Sequence, residues 1–345
     1  MTCAAPRAGA SGSATSSAAR AGRRTAAAAA PAGRPAGGGY PEGIATRALI
    51  AGATGFVGAR LAAALQDAGV DVRCLARTPE KVELLERQGF EARLGDVTDA
   101  GSLEGAGRGV AVAYYLVHAM AGGGDFAERE RRGARNFARM AKREGVERIV
   151  YLGGLGGDAA SKHLASRHET AEALAAEGPP LTYFRAAMVV GAGSESYRTL
   201  RYLVGRLPVM LAPAWLQTDT QPIGIDATVE YLRRAPEVPE SAGREIQIGG
   251  PDVLTYAEML DRMAIAMGKR PRPKLPLPLV TPWLSSLWLG LVTPVDTSVA
   301  RPLVEGLTTR TVVTDPSGAA LFGVEPESFD EALRRALAEE QQAAP

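Results

Sequence analysis

From Arg47 onward the chain alternates short apolar runs with amphipathic stretches, and this alternation restricts the possible folds more than any other feature. Six strands are predicted, at Ala48–Ala53, Asp71–Arg77, Glu91–Val97, Val110–His118, Arg148–Gly154 and Leu181–Val190. Between them, apolar residues at three- and four-residue spacing predict helices at Val57–Ala68, Pro79–Gln88, Ala100–Ala106, Phe126–Glu144 and Lys162–Glu177. Strands that alternate with helices pair in parallel, so the sequence predicts an α/β fold with a doubly wound parallel sheet.

After Gly191 the alternation loosens, because Pro208, Pro213 and Pro222 interrupt it. The remaining elements are predicted as strands at Gln221–Ile225 and Arg244–Ile248, and as helices at Asp226–Ala235, Thr255–Met267 and around Ser328–Glu340. The sequence therefore predicts three parts: a disordered tail over residues 1–44, a sheet domain over residues 45–193 with a strand returning from 221–250, and a small C-terminal substrate lobe with helices over residues 194–345.

Four glycines follow predicted helices: Gly69, Gly89, Gly145 and Gly178. Glycine at such a position commonly ends a helix in the left-handed conformation, which costs other residues more. We therefore expect left-handed C-caps at all four.

The charges nearly cancel, at 39 Lys and Arg against 38 Asp and Glu, but the first 41 residues hold five Arg and no acid. The rest of the chain is therefore slightly acidic, and a nucleic-acid partner is not expected. Two cysteines, Cys3 and Cys74, cannot form a disulfide framework, and no set of Cys, His and Asp has the spacing of metal ligands. These features favour a cytoplasmic protein without a metal site.

The stretch of residues 275–295 carries no charge and includes Trp283 and Trp288. Four prolines interrupt it, so no uninterrupted apolar segment approaches the ~20 residues that a membrane span needs. We expect no membrane span here. The stretch is interpreted as a buried helix, as an apolar wall for a hydrophobic substrate, or as a surface for peripheral membrane contact.

The first predicted strand runs directly into the turn Gly52-Ala53-Thr54-Gly55-Phe56-Val57-Gly58, after which a helix begins. In this pattern Gly52 permits the tight turn, Gly55 admits a pyrophosphate close to the backbone, and Gly58 allows close packing of the helix. The amides at the helix start then face the phosphates. The turn therefore predicts a dinucleotide site of the Rossmann type, with cofactor contacts from Gly52, Thr54, Gly55, Phe56, Val57 and Gly58.

The ends of the other strands refine this site. The second strand ends at Arg77 without an acidic residue, and a guanidinium suits the 2′-phosphate of NADP(H) better than the free hydroxyl of NAD(H). NADP(H) is therefore favoured over NAD(H). Further cofactor contacts are expected at the ends of the third, fourth and fifth strands, from Asp96, Val97, Leu116, His118, Leu152 and Gly153.

These features, with the runs Gly133-Ala134-Arg135-Asn136 and Gly145 to Tyr151, resemble the extended and atypical short-chain dehydrogenase/reductases. The chain is most similar to NmrA-type NAD(P)H-binding proteins and to the nucleotide-binding accessory subunit of respiratory complex I. The resemblance continues through Phe184-Arg185-Ala186, Gln221-Pro222-Ile223 and Leu254-Thr255-Tyr256. It covers about Arg47 to Gly268 and implies a Rossmann fold with a nicotinamide cofactor.

The resemblance also implies a Ser at the end of the fifth strand and a Tyr-x-x-x-Lys motif on the next helix. The fifth strand instead ends Leu152-Gly153-Gly154. Aligning the family Lys with Arg167 puts His163 at the Tyr position, whereas aligning it with His168 puts Leu164 there. The chain thus departs from the usual proton relay.

Only three histidines occur, His118, His163 and His168, all near the ends of the fourth and fifth strands or on the helix that follows. Histidine is well suited to move a proton near neutral pH. We hypothesise that His168, or otherwise His163, donates a proton beside the cofactor while Arg167 binds an anionic group of the substrate.

The sequence favours an NAD(P)H-dependent reductase that transfers hydride to a small-molecule substrate, a hydrophobic carbonyl or quinone-like compound. The alternative is a non-catalytic NAD(P)(H)-binding regulator or assembly factor, which the missing Tyr and Lys motivate. Nothing in the sequence indicates the oligomeric state.

Overall fold

The computed structural model describes residues 47–117, 126–156, 162–277 and 307–343. The predicted tail, His118 and the part of the uncharged stretch that follows Leu277 lie outside these residues. The strands are β1 (Arg47–Ala51), β2 (Asp71–Ala76), β3 (Glu91–Leu94), β4 (Val110–Tyr115), β5 (Arg148–Gly154), β6 (Leu181–Ala186), β7 (Val189–Val190), β8 (Met210–Pro213), β9 (Asp219–Thr220), β10 (Ile223–Gly224), β11 (Glu245–Ile248), β12 (Leu254–Thr255) and β13 (Lys274–Leu277).

Helices flank these strands, with short 3₁₀ turns between some of them. The helices are α1 (Phe56–Asp67), α2 (Pro79–Arg87), α3 (Phe126–Arg143), α4 (Lys162–Glu177), α5 (Glu195–Arg206), α6 (Ile225–Arg234), α7 (Tyr256–Ala266), α8 (Ser317–Ala320) and α9 (Phe329–Ala343). No helix among the described residues is both long and apolar enough to cross a membrane.

The central sheet has seven parallel strands in the order β11-β6-β5-β4-β1-β2-β3. The chain starts in the middle at β1, proceeds to one edge through β2 and β3, and then crosses to β4 on the other side of β1. This reversal opens a crevice at the carboxyl ends of β1 and β4, where doubly wound sheets bind ligands. The predicted α/β Rossmann fold is confirmed.

Each face of the sheet is covered by helices that bury an apolar stripe. Leu61 and Leu65 of α1 and Leu232 of α6 belong to the core on one face. Phe137 of α3 and Leu174 of α4 belong to the core on the other. The five inner strands, β1, β2, β4, β5 and β6, are buried on both faces, which is why they read as nearly continuous apolar runs in the sequence.

Three local predictions are wrong. The strand expected over Leu181–Val190 ends at Ala186, and Val189–Val190 form the separate strand β7, which pairs with β10 instead. The helix expected over Ala100–Ala106 is a single 3₁₀ turn, Gly101–Leu103.

The third concerns the helix ends. Gly69, Gly89 and Gly145 are left-handed as expected, but Gly178 is not. Glycine is needed at Gly178 for space, because a Cβ there would lie 2.6 Å from the carbonyl oxygen of Leu174.

Helices α5, α7 and α9 pack around a core of their own, which includes Leu203, Met263 and Leu333. We call this group of helices the second lobe. Helix α5, which the loosened pattern after Gly191 did not predict, begins where the side chain of Ser194 accepts a hydrogen bond from the backbone N–H of Tyr197. Helix α7 begins with a capping box between Thr255 and Glu258. These caps fix where both helices start, beside the carboxyl edge of the sheet.

Candidate functional site

The turn between β1 and α1 is closed by its own backbone. Gly52 has a φ of 97°, and a Cβ on it would lie 2.5 Å from the carbonyl oxygen of Leu116. A Cβ on Gly58 would lie 2.8 Å from the carbonyl carbon of Gly52 and closer still to its oxygen. Real Cβ atoms do not approach backbone so closely, so only glycine fits at either position. The amide of Gly55 also donates to the carbonyl oxygen of Gly52 at 3.0 Å, which tightens the turn.

Two cavities open along the carboxyl edge of the sheet. The sheet-side cavity, of about 540 Å³, lies at the ends of β1 to β4 and is lined by Gly52, Thr54, Gly55, Arg77, Asp96, Val97 and Leu116 among other residues. The lobe-side cavity, of about 550 Å³, lies between the end of β5 and the second lobe. Gly55 and Leu116 line both cavities, so the two adjoin beside the glycine turn.

The loop after β3 is held by a local network in the sheet-side cavity. Asp96 accepts hydrogen bonds at 2.8 Å from both the backbone N–H and the hydroxyl of Thr98, and its own N–H donates to Ser102 Oγ at 2.9 Å. The side-chain amide of Asn136 on α3 donates to the carbonyl oxygen of Val97 at 3.0 Å. Asp96 and Val97 are thus held in place at the cavity wall.

Two cationic side chains, Arg77 and Lys81, line the sheet-side cavity near the end of β2. Neither forms an ion pair with an acidic side chain within the described part of the chain. Lys81 lies in the first turn of α2, four residues after Arg77, and its position was not singled out by the sequence pattern. The two side chains form a cationic corner of the cavity.

The wall of the lobe-side cavity is mainly apolar. Among its residues are Phe56, Val57, Gly58, Leu152, Gly153, Leu155, Leu164, Met188 and Val189, together with the polar or charged Arg167, Ser194, Glu195, Tyr256 and Thr311. Every predicted cofactor residue that the structure describes lines one or both cavities. The apolar wall suits a flat hydrophobic ligand, and the few polar groups can orient it.

Gly153 is one of the two glycines at the end of β5, where the resemblance implies a Ser, and Tyr183 explains why Gly153 has no side chain. A Cβ on Gly153 would lie 2.7 Å from the ring carbon Cε2 of Tyr183 and 2.9 Å from its hydroxyl oxygen. The Tyr183 ring stacks on Tyr151, with centroids 5.2 Å apart. Burial raises the pKa of the Tyr183 phenol to about 12. The phenol of Tyr183 thus fills the space that a side chain at this position would use.

The predicted proton donor whose side chain the structure describes, His168, does not lie at the cavity wall. His168 lies on α4 with its side chain half exposed, 3.7 Å from Glu172, and does not line either cavity. The side chain of His163 and all of His118 lie outside the described residues. Arg167 is the member of the predicted catalytic set that lines the lobe-side cavity.

A tyrosine from the second lobe reaches the lobe-side cavity instead. Tyr256, the first residue of α7, lines this cavity and is almost fully buried. Burial raises the pKa of its phenol, while hydrogen bonds with the hydroxyls of Thr220 and Thr311 lower it. The Thr311 hydroxyl itself donates to Thr220 Oγ1 at 2.8 Å. In the sequence, the only signal was the Leu254-Thr255-Tyr256 run of the family resemblance.

Arg185 on β6 orders the end of β5. Its Nε donates to the carbonyl oxygen of Gly154 at 3.1 Å, another guanidinium nitrogen donates to the carbonyl oxygen of Gly156, and the side chain pairs with Glu245 on β11. The side chain therefore fixes the backbone that forms one wall of the lobe-side cavity.

A glycine turn at a sheet reversal with an adjoining cavity is the arrangement of a dinucleotide-binding Rossmann fold. Residues 52–190 match the family model described as NAD(P)H-binding. A sequence comparison with curated proteins finds no match. The match agrees with the predicted resemblance to NAD(P)H-binding proteins, and the structural neighbours described next share the fold.

Solved structures with this fold span nearly the whole of the described chain. One is an NADPH-dependent quinone oxidoreductase of Escherichia coli complexed with NADPH, at 19% identity, covering 83% of this chain and 98% of that one, with a TM-score of 0.66. Another is the triphenylmethane reductase of a Citrobacter species complexed with NADP(H), at 17% identity, covering 84% and 99%, with a TM-score of 0.67.

A third neighbour is the UDP-glucose 4-epimerase of Thermotoga maritima with UDP-glucose, at 16% identity, covering 86% of this chain and 99% of that one, with a TM-score of 0.65. Proteins with different activities thus share this architecture, so the likeness defines the fold and leaves the activity to the site.

Proposed function

We propose that this protein is an NAD(P)H-dependent reductase that prefers NADP(H) and reduces a hydrophobic carbonyl or quinone-like small molecule. The observation that carries the proposal is the meeting of two cavities of similar size at Gly55 and Leu116. The glycine turn and the sheet-side cavity would hold a dinucleotide whose nicotinamide end reaches the lobe-side cavity. The remaining space of the lobe-side cavity would take the substrate.

The residues present fit such a cofactor. Gly52 and Gly58 let the turn close tightly, because a Cβ on either would overlap backbone, and the amides at the start of α1 are groups that can bind a pyrophosphate. Arg77 and Lys81 would hold a 2′-phosphate, while Asp96 and Val97 border the adenine side. When bound, the nicotinamide supplies a hydride for the reduction.

The lobe-side cavity accounts for the proposed substrate class. Leu152, Leu155, Leu164 and Met188 give it apolar walls that exclude water from a bound ring system. Arg167 is the cationic group of this wall and would orient an oxygen atom or an anionic substituent of the substrate. The structural neighbours that reduce quinones and triphenylmethane compounds are in keeping with such a substrate.

For the proton that accompanies hydride transfer, Tyr256 is the favoured donor. Its phenol lines the cavity and hydrogen-bonds with Thr220 and Thr311, whose hydroxyls can stabilise the phenolate left behind. His168 remains the alternative donor, with His163 after it, and the side chain of His168 would have to turn toward the cavity from α4. A cytoplasmic setting, with its supply of NADPH, is part of the same proposal.

The test combines cofactor binding with turnover. Titration calorimetry with NADPH and NADH is expected to give tight binding of NADPH, and NADPH oxidation is expected with at least one member of a quinone and aromatic aldehyde panel. The absence of binding would overturn the proposal. Tight binding without turnover on the whole panel would favour the non-catalytic regulator, for which the missing Tyr-x-x-x-Lys motif is the supporting observation.

A further inference from the structure

A second surface, distinct from both cavities, lies where α5, α7 and β13 end in the second lobe. Two segments of the chain form it, and residues 196–218 and 262–277 contain no acidic residue at all. They contain eight Arg and Lys residues. The chain outside the first 41 residues is slightly acidic in total, so this concentration of positive charge runs against the average.

Hydrogen bonds bring the two segments together. Lys269 Nζ donates to the carbonyl oxygen of Gly205 at 3.2 Å, and Arg272 donates to the carbonyl oxygen of Val204 at 3.3 Å. The backbone N–H of Met210 donates to the carbonyl oxygen of Pro273 at 2.9 Å, where β8 and β13 pair in parallel. These bonds bring Arg206, Lys269 and Arg270 to the adjoining ends of the two segments. Four other basic residues of the segments pair with acidic side chains: Arg198 with Glu195, Arg201 with Glu340, Arg262 with Asp252 and Asp330, and Lys274 with Asp261.

Apolar side chains stand exposed among these charges. Ile265 is 64% exposed, Leu275 is 55% exposed and Val209 is 40% exposed. Ile265 and Leu275 are the two most exposed large apolar side chains in the described part of the chain. We call the surface formed by three apolar and three basic residues the basic–apolar face: Val209, Ile265, Leu275, Arg206, Lys269 and Arg270.

The charges of this face are left uncompensated. Arg206, Lys269 and Arg270 make no ion pair with an acidic side chain anywhere in the described ranges. The guanidinium carbon of Arg206 lies 4.9 Å from the ring centroid of Tyr202 on its own helix. Cations that are free to meet an external anion, beside apolar groups that gain by leaving water, are the two attractions that bind a protein to a lipid surface.

We propose that the basic–apolar face docks on an anionic phospholipid bilayer. Its positive charges meet the headgroups, and Ile265, Leu275 and Val209 enter the boundary between headgroups and acyl chains. A nucleic acid would satisfy the charges but would leave the three apolar side chains in water. In the sequence, the uncharged stretch with Trp283 and Trp288 directly follows Leu275, and such residues are enriched at membrane interfaces.

The test is flotation of the full chain with vesicles of phosphatidylcholine alone and of phosphatidylcholine with phosphatidylglycerol. We expect flotation with the anionic vesicles only, and its loss in 1 M salt, where the screening length falls to about 3 Å. The double variant Arg206→Gln/Arg270→Gln removes two exposed charges that make no hydrogen bond in the described structure. It should lower the partition coefficient roughly 25-fold, at about fivefold per charge.

Matched control variants remove two positive charges, or one exposed apolar side chain, from other surfaces of the protein. Lys142→Gln/Arg143→Gln takes two charges from α3, and Leu84→Ser takes an exposed apolar side chain from α2, as Ile265→Ser does from the basic–apolar face. The controls should float like the unaltered chain, whereas Ile265→Ser should float less. Circular dichroism and NADPH titration on every variant verify folding and keep this result separate from the proposed reductase activity.

The proposal is overturned if neutral and anionic vesicles bind the chain equally, if neither does, or if Arg206→Gln/Arg270→Gln floats unchanged. It is also overturned if duplex DNA competes the chain off anionic vesicles through the same two arginines without any effect of Ile265→Ser. A loss of flotation in Trp283→Ser/Trp288→Ser, with none in the face variants, would place docking in that segment instead.

Discussion

The glycine turn and the lobe-side cavity lie next to each other but are built by opposite means. The turn is defined by what cannot be present, since a Cβ on Gly52 or Gly58 would meet backbone atoms of Leu116 or Gly52. The cavity is defined by side chains that three distant parts of the chain contribute, among them Arg167, Tyr256 and Thr311. Glycines that a tight turn requires can be recognised within seven consecutive residues of a sequence. A cavity whose side chains come from distant parts of the chain cannot be predicted in this way.

The comparison implies that a substitution in the turn should impair both folding and NADPH binding, because the backbone of the turn would hold the dinucleotide. A change to one cavity side chain should alter turnover and leave binding intact. Four experiments test this contrast, in order of decreasing effect.

The largest effect is expected for Gly58→Ala. The added Cβ overlaps the backbone of Gly52, and backbone cannot move aside as a flexible side chain can. We expect a loss of about 3 kcal/mol in the free energy of unfolding and no measurable NADPH binding. Urea denaturation and titration calorimetry measure the two. Gly101→Ala is the control, because a Cβ there only reaches ordinary contact with Asp99. If both variants behaved alike, the steric account of the turn would fail.

The second experiment compares Tyr256→Phe with His168→Ala. The first removes a single hydroxyl from the cavity wall and is expected to lower kcat by about 100-fold, as loss of a general acid does, with NADPH affinity unchanged. The second removes a half-exposed side chain and is expected to change kcat by less than about threefold. The reverse ranking would return the role of proton donor to His168.

The pH profile tests Tyr256 as the donor. A donor acts in its protonated form, so turnover is full below its pKa and declines above it. Because burial raises the pKa of Tyr256 from the ordinary value of about 10, turnover should stay level up to about pH 10. A steady-state profile of kcat from pH 5 to 10.5 checks this. A decline that begins well below pH 10 would argue against Tyr256 as the donor.

The third experiment is Arg77→Gln/Lys81→Gln, at the other end of the cofactor. Loss of two charge-assisted contacts with a 2′-phosphate should weaken NADPH binding about 30-fold and leave NADH binding within about twofold. Arg87→Gln, at the end of the same helix and outside the cavity lining, is the control. Equal weakening of both nucleotides would mean that the two cations serve the pyrophosphate or the fold.

The smallest effect is expected for Gly153→Ala. Its Cβ meets the edge of the Tyr183 ring, which can shift slightly, so we expect a loss of about 1 kcal/mol in the free energy of unfolding. In a Tyr183→Leu background the same change should cost less, and a double-mutant cycle measures the difference. An equal cost in both backgrounds would show that Tyr183 is not the reason for glycine at this position.

The sheet could be predicted well because its strands are buried on both faces and bounded by helices. The end of β6 could not, because Ala187 and Met188 carry no turn signal and the break depends on β10, a partner more than 30 residues further along. Helix α5 was missed since its apolar positions face a core completed only by α7 and α9. Gly178 was misread because a requirement for space leaves the same residue type as a requirement for a left-handed φ.

The same distinction holds in the candidate site. Arg77 and Asp96 follow directly from strands and could be placed by counting. Lys81 requires the path of α2, and Tyr256 requires the position of the whole second lobe. His168 was predicted as a proton donor from its residue type and its place after a strand end. The direction in which its side chain points, however, depends on the rotation of α4. Residue type is local information, whereas orientation depends on packing.

The edge strand β11 has a consequence for how the protein is made. It pairs with β6, yet the chain between Ala186 and Glu245 must emerge from the ribosome before that pairing can form. During this interval β6 presents an unpaired, apolar edge to the cell, the kind of edge that recruits other strands into aggregates. We therefore expect a nascent chain halted before Ile248 to need chaperones to prevent aggregation, even though its glycine turn has already been synthesised.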